Sequence, residues 1–168
     1  MTTQAIYDKR GTPVTFVNTG GDKLLNLKAL AQVTGRMSAF ADRGAGAAPT
    51  DYEFRAYCKW EATVTVNERM DVYLIQSDGT HTDDGLAFHE TNDGAFLLVN
   101  GANCTFLGSV VATVADELEH GKTLFGKVTS RYFAIGIYNA SAAKDLLNTD
   151  SVSAVVATPI YPDVQAAA

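Results

Sequence analysis

The sequence predicts an all-β protein with minimal helix, and three observations carry that prediction. Every even position from Tyr52 to Val66 is apolar (Tyr52, Phe54, Ala56, Cys58, Trp60, Ala62, Val64, Val66), while the odd positions from Asp51 to Thr65 are polar or amphipathic. A period of two is what a strand with one buried and one wet face requires, because successive side chains point to opposite faces. Turn signals recur at short intervals along the whole chain, as in sandwiches and barrels. Long strand–helix–strand units are absent, which disfavours a doubly wound parallel sheet.

The elements follow in order. Residues 1–12 read as an N-terminal arm, 13–162 as one β-sandwich domain and 163–168 as a C-terminal tail. PVTFVN (13–18) is a first strand and Gly20-Gly21 a turn. DKLLNLKALAQ (22–32) fits either a helical turn or a loop crossing the edge of the core. Arg36 to Asp42 reads as a strand, and the Gly/Ala/Pro-rich 41–50 as a connector with no drive to pack. The alternating run 51–66 is longer than the usual strand, so a bend or bulge is expected along it. Asn67-Glu68-Arg69 turns the chain, and DVYLIQ (71–76) is expected to pair back on the run before it. SDGTHTDDG (77–85) is a polar loop with two Asp-Gly steps. Phe96–Val99 and Cys104–Val114 are further strands separated by the Asn100-Gly101 turn. DELEH (116–120) fits one helical turn before Gly121; Thr123–Val128 and Arg131–Asn139 are strands, and 141–150 fits a loop or a short helix. Ser151–Ile160 is the last strand, with Pro159 and Pro162 expected to stop it. The sum is about eight to ten strands, arranged as an antiparallel β-sandwich of jelly-roll type.

Composition excludes several partners. The net charge is −6 and the densest basic cluster is Lys9-Arg10, so neither nucleic acid nor an anionic membrane surface is an expected partner. No stretch approaches the roughly 18 apolar residues of a membrane span. The N-terminus carries no apolar signal core, so the expected site of synthesis is a cytosol. Cys58 and Cys104 both fall at apolar positions of alternating runs and read as buried thiols.

No catalytic signature stands out, and an enzyme is not expected. His81, Asp83, Asp84, His89 and Glu90 are near neighbours in sequence, but the spacing matches neither a structural zinc site nor an EF-hand. No cofactor or metal is assigned, with calcium in the 77–85 loop left open. No G-x-S-x-G elbow occurs, and GAGAAP lacks the Lys-Ser/Thr of a phosphate loop. Glu53 and Glu61 share a strand face, yet eight residues of strand separate them by roughly 26 Å, too far for paired glycosidase carboxylates. Tyr57, Tyr73, Tyr132 and Tyr138 fit two arrangements equally: an exposed ring-bearing face for a sugar or a subunit, or long rings that cover the second sheet or a neighbouring loop.

Three segments carry a family resemblance. DVYLIQSDGTHTDDG (71–85) resembles a strand and polar turn of small virion proteins of tailed bacteriophages. SRYFAIGIYNASAAKDL (130–146) is similar to their late Arg-Tyr-led strand, and VVATPIYPDVQ (155–165) to their closing strand. Together these cover about a quarter of the chain and hold no catalytic motif. The resemblance implies a virion structural protein made in the host cytoplasm and located on the capsid surface. There it would decorate or cement the shell, with the major capsid protein and copies of itself as partners. No functional residue carries over position by position. The candidate contact residues are Tyr7 and Arg10 in the arm, Arg43 in the connector, Tyr57 and Lys59 on the polar face of 51–66, and Tyr132. The alternatives are another virion part (tail tube, head closure or fibre base) and a carbohydrate-binding sandwich using tyrosines and the 77–85 loop.

Overall fold

The computed structural model describes residues 6–46, 48–85, 87–115 and 118–164. Among them are twelve strands and one 3-10 turn, slightly more strands than expected. The strands are β1 Ile6–Arg10, β2 Val14–Val17, β3 Lys23–Leu24, β4 Thr34–Met37, β5 Ala41–Asp42, β6 Asp51–Cys58, β7 Arg69–Ser77, β8 Gly94–Ala95, β9 Thr105–Val111, β10 His120–Lys127, β11 Tyr132–Asn139 and β12 Ala154–Val164. They form two sheets packed as a β-sandwich. The first has the order β10-β6-β12-β2-β3, with β1 also on β12; the second has the order β8-β4-β11-β7-β9, with β5 also on β11. Every ladder is antiparallel except the short β2–β3 pair.

The two sheets bury their faces differently, and the sequence pattern explains why. In β6, Tyr52, Phe54, Ala56 and Cys58 are buried while Asp51 and Arg55 are exposed, so the alternation marks one wet face. In β7 and β11 the burial is nearly continuous. Phe133, Ile135 and Ile137 of β11 join Val72, Leu74, Phe16, Phe54 and Val155 in the core between the sheets. Ala134, with Tyr73 and Ile75 of β7, joins a second core with Met37, Phe40 and Phe96 on the far side of the same sheet. Phe96 seats over Gly136, where an added Cβ would lie 3.0 Å from its ring. A strand buried on both faces reads as an apolar run instead of an alternation, which is how DVYLIQ and YFAIGIYN read.

Several expectations are corrected. β6 ends at Cys58 instead of continuing to residue 66: Trp60 and Val64 stay buried, but Val66 is exposed. β7 does not pair with β6; it lies in the other sheet between β11 and β9. The chain from Lys59 to Glu68 crosses from one sheet to the other, tied on the way by a bridge between Trp60 and Leu146. Phe96–Val99 is not a strand, because only Phe96 turns inward, and Asn100–Asn103 is a 3-10 turn. Of the expected helical turn at 116–120, Asp116 and Glu117 lie outside the described residues, and His120 opens β10. Segment 22–32 is the core-crossing loop, burying Leu25, Leu27 and Leu30. The connector 41–50 is not idle: Arg43 donates to the carbonyls of Ala48, Pro49, Thr129 and Ser130.

Pro159 and Pro162 do not stop β12, and the register shows why. The N–H and C=O of one strand residue point to the same side. The Pro159 carbonyl accepts from Gly11 N–H at 2.9 Å, so its missing N–H faces the end of β1 and not β6. The missing N–H of Pro162 points to the opposite edge, beyond the last β6 pair at Ile160–Asp51. Both prolines sit where no donor is required. β1, in the segment expected as an arm, pairs with the end of β12 from Ile6–Val164 to Arg10–Ile160, a stretch that runs from the expected domain into the first two residues of the expected tail.

One fully buried amide ties the crossings together. Asn139, at the end of β11, accepts from Trp60 Nε1 at 3.3 Å and donates to the carbonyls of Leu30 at 3.1 Å and Lys144 at 2.9 Å. Asn139→Leu leaves the Trp60 N–H unpaired in the interior and the Lys144 carbonyl unpaired at its edge. It should cost about 3 kcal/mol or more, read by urea denaturation of the fluorescence of Trp60, the chain's single tryptophan.

Candidate interface surfaces

The outer face of the first sheet is a patterned surface. Its rows follow from register: Asp51 stands beside Lys127 and Ile160, Glu53 beside Phe125 and Thr158, Arg55 beside Thr123 and Val156, and Tyr57 beside Gly121 and Ala154. Arg10 holds Glu53 at 2.6 Å, and Lys127 lies 3.8 Å from Asp51. A groove of about 480 Å³ runs between Arg55, Tyr57, Glu119, Lys122 and Thr123. Gly121 opens its floor, since that strand position carries no side chain. Burial pushes the Tyr57 pKa up, and the Glu119 carboxylate adds to the rise. A second groove, of about 570 Å³, lies between Phe125, Lys127, Ile160, Pro162, Asp8 and Asp51. Phe125 is 64% exposed at its wall.

The expected contact residues scatter over three places. Arg10, Tyr57 and Lys59 share the outer face of the first sheet or its end. Tyr7 belongs to β1, and its side chain lies outside the described part of the structure. Arg43 is spent on four backbone carbonyls and acts as an internal strut. Tyr132 is half-buried on the far side of the second sheet, its ring 5.0 Å from that of Phe88 and 4.9 Å from the Arg131 guanidinium. Arg131 in turn clamps Asp42 at 2.9 Å and, with the Gly44 N–H, lowers its pKa. Tyr73 is buried against Phe96 and Phe106, and Tyr138 packs on the same second core. Tyr73 is thus buried, and Tyr132 and Tyr138 are half-buried against the second core, so among the described residues these three rings are engaged with their own sheet and its cover.

The polar loop uses its carboxylates for its own shape. Asp78 accepts from the N–H groups of Thr80 at 2.7 Å and His81 at 2.8 Å, and Asp83 accepts from Gln76 N–H at 3.0 Å. Among the described residues no three His, Cys, Asp or Glu side chains gather as metal ligands. Register places Cys58 opposite His120, a pairing that could activate a thiol. Yet Cys58 is wholly buried and its pKa is raised, mainly by that burial, which keeps the thiol protonated and out of reach. Cys104 is half-buried with its pKa raised to about 12.

One surface was not visible in the sequence. Leu97, Leu98 and Val99 are 58%, 49% and 74% exposed, and Phe106 is 55% exposed. Phe96, which precedes this run, and Phe106 both pack on Tyr73, with ring centroids 5.2 and 5.3 Å from it. The signal was the apolar run FLLV itself, whose reading as a strand assigned half of it to a core. Comparison with known proteins finds no matching family model and no significantly similar curated protein.

The Asp78 turn has a defined pH signature. The His81 and Thr80 N–H groups bind the ionised carboxyl and pull its pKa from 3.8 to about 2. A depressed carboxyl favours the folded turn above the unfolded value and loses that effect as pH falls through the folded one. The amide shifts of Thr80 and His81 should therefore titrate with a midpoint near 2, measured by NMR; a midpoint near 3.8 would show that the turn bonds do not form.

Proposed function

We propose that this chain is a structural protein of a bacteriophage virion, a decoration or cement protein that binds the outside of the major capsid shell. Its work is mechanical: each copy bridges shell subunits and stiffens the lattice against the pressure of packaged DNA. The observation that carries this reading is the exposed apolar run Leu97-Leu98-Val99. An apolar patch of this kind on a soluble chain is what a protein-binding surface looks like. It leads directly into the 3-10 turn Asn100–Asn103, whose Gly101 lies against the rings of Tyr73 and Phe96, so it is held next to a packed support. The likeness of segments 71–85, 130–146 and 155–165 to phage virion proteins points the same way, and these segments supply β7, β11 and β12 of the sandwich.

A second reading rests on the groove beside Tyr57. A half-buried ring flanked by Arg55, Lys122, Thr123 and Glu119 is also a surface on which a sugar could stack and hydrogen-bond. A glycan array would register that activity; the virion reading requires none.

Mass spectrometry of purified particles of the encoding phage should find the chain in copies proportional to the capsid lattice. A count of one ring, or a location in the tail, would replace the decoration role by another virion role. Leu98→Glu with Val99→Glu should weaken binding to undecorated heads at least tenfold, measured by co-sedimentation. Both side chains are exposed, so the thermal midpoint should stay within a degree or two of the parent.

A further inference from the structure

We infer that the outer edge of β1 is a self-pairing edge: two copies of this chain join β1 to β1 in antiparallel fashion, with Asp8 of each opposite Arg10 of the other.

The register of the β1–β12 ladder decides which backbone groups are available. In an antiparallel pair, residues that exchange hydrogen bonds alternate with residues whose N–H and C=O point away from the partner strand. Gly11 donates to the Pro159 carbonyl, so Gly11–Pro159 faces inward. Two and four residues back, Lys9–Tyr161 and Tyr7–Asp163 face inward too. Ile6, Asp8 and Arg10 therefore turn their backbone groups outward, and among the described residues no strand pairs with that edge. The neighbouring stretch of the same side is closed: β2 is covered by β3, and Asp22 exchanges bonds with Thr15 through its N–H and its carboxylate.

The two edges of this ribbon are not equivalent. Beyond Ile160, β12 has lost β6 as a neighbour, and the residues that turn outward there are Pro162, which has no N–H to offer, and Val164 at the strand's end. That edge is blunted, a common defence against unwanted strand pairing. The β1 edge has no proline and keeps its full row of donors and acceptors. Gly11 lets β1 lie close to β12, since a Cβ there would stand 2.6 Å from the Tyr161 ring and 2.7 Å from the Pro159 ring. A ribbon of two strands is marginal in water and gains most from a third.

Charge selects the partner strand and its register. Outward residues must face outward residues, so Asp8 can oppose Asp8, Arg10 or Ile6 of a second β1. Asp8 against Asp8 sets like charges together. The shift by two sets Asp8 against Arg10 twice, related by a two-fold axis, as an isologous contact requires. Lys9 then meets Lys9 on the other face, one like pair against two opposite ones. Asp8, Lys9 and Arg10 are all exposed, and Arg10 is steered along the outer face by its contact with Glu53. The contact belongs to the free chain and needs no particle.

Sedimentation velocity from micromolar to millimolar protein tests this. The parent chain should show a concentration-dependent dimer. Asp8→Pro removes an outward N–H and none that the β12 ladder uses. It should give a monomer over the whole range, with the parent's circular dichroism and thermal midpoint. Lys9→Pro removes an inward N–H and should instead loosen β1 and lower the midpoint. Asp8→Lys leaves the backbone intact and sets like charge against Arg10, and should weaken the dimer at least fivefold. A parent chain that stays monomeric at millimolar concentration, or a dimer that survives both Asp8 substitutions, overturns the inference.

Discussion

The sandwich depends on one buried amide. Its two sheets are made of strands that lie far apart in sequence, so the chain must cross between them repeatedly, and three of those crossings meet at Asn139. The loop through Leu30, the crossing after β6 at Trp60 and the turn after β11 at Lys144 each give one hydrogen bond to this side chain. Backbone bonds finish the junction: Leu146 donates to Leu30, Leu147 to Lys59, Glu61 to Asp145, and Val33 to the Asn139 carbonyl. An amide suits this position because it donates and accepts at once without carrying charge into the interior. A carboxylate could not donate, and an apolar side chain would leave several buried groups unmet.

With that end fixed, the sheets take unequal roles. The second sheet is buried on both faces, by the inter-sheet core and by the segment from Gly79 to Cys104 folded over Tyr73, Ile75 and Ala134. Its central strands have no wet face on which to present a site. Contacts with other molecules are left to the cover itself, where Leu97, Leu98 and Val99 protrude, and to the outer face and edges of the first sheet. The acidic composition fits this division. The exposed carboxylates Asp42, Asp51 and Asp78 are each answered by a cation or by backbone N–H groups.

The legible parts of the fold were those governed by local period. Asp51 to Cys58 announced a half-buried strand, and the observed burial follows the alternation residue by residue. The β6–β7 pairing failed because two apolar segments joined by Asn67-Glu68-Arg69 read as a hairpin. What separates them is Trp60 reaching Asn139, seventy-nine positions away. The prolines of β12 failed for a related reason: whether a missing N–H matters depends on which neighbour it would have faced, and that is set by register. Tyr73 and Tyr132 could not be placed because the segment that packs on them is largely polar and turn-rich, with Phe88 and Phe96 supplying its ring contacts.

The continuity of β12 gives the terminal ribbon its mechanical meaning. Val155 and Ala157 lie in the main core, and five residues later the same strand pairs with β1 outside the span of β6. A pull along β1 would load the β1–β12 ladder lengthwise, with its hydrogen bonds strained together and not one after another. The load would pass without a joint into the ladders with β6 and β2, which hold both flanks of β12. A contact made through a flexible arm would dissipate that force in the arm. A contact made through β1 would transmit it to the centre of the sheet. That is the mechanical property a subunit needs if its task is to hold neighbours at fixed spacing.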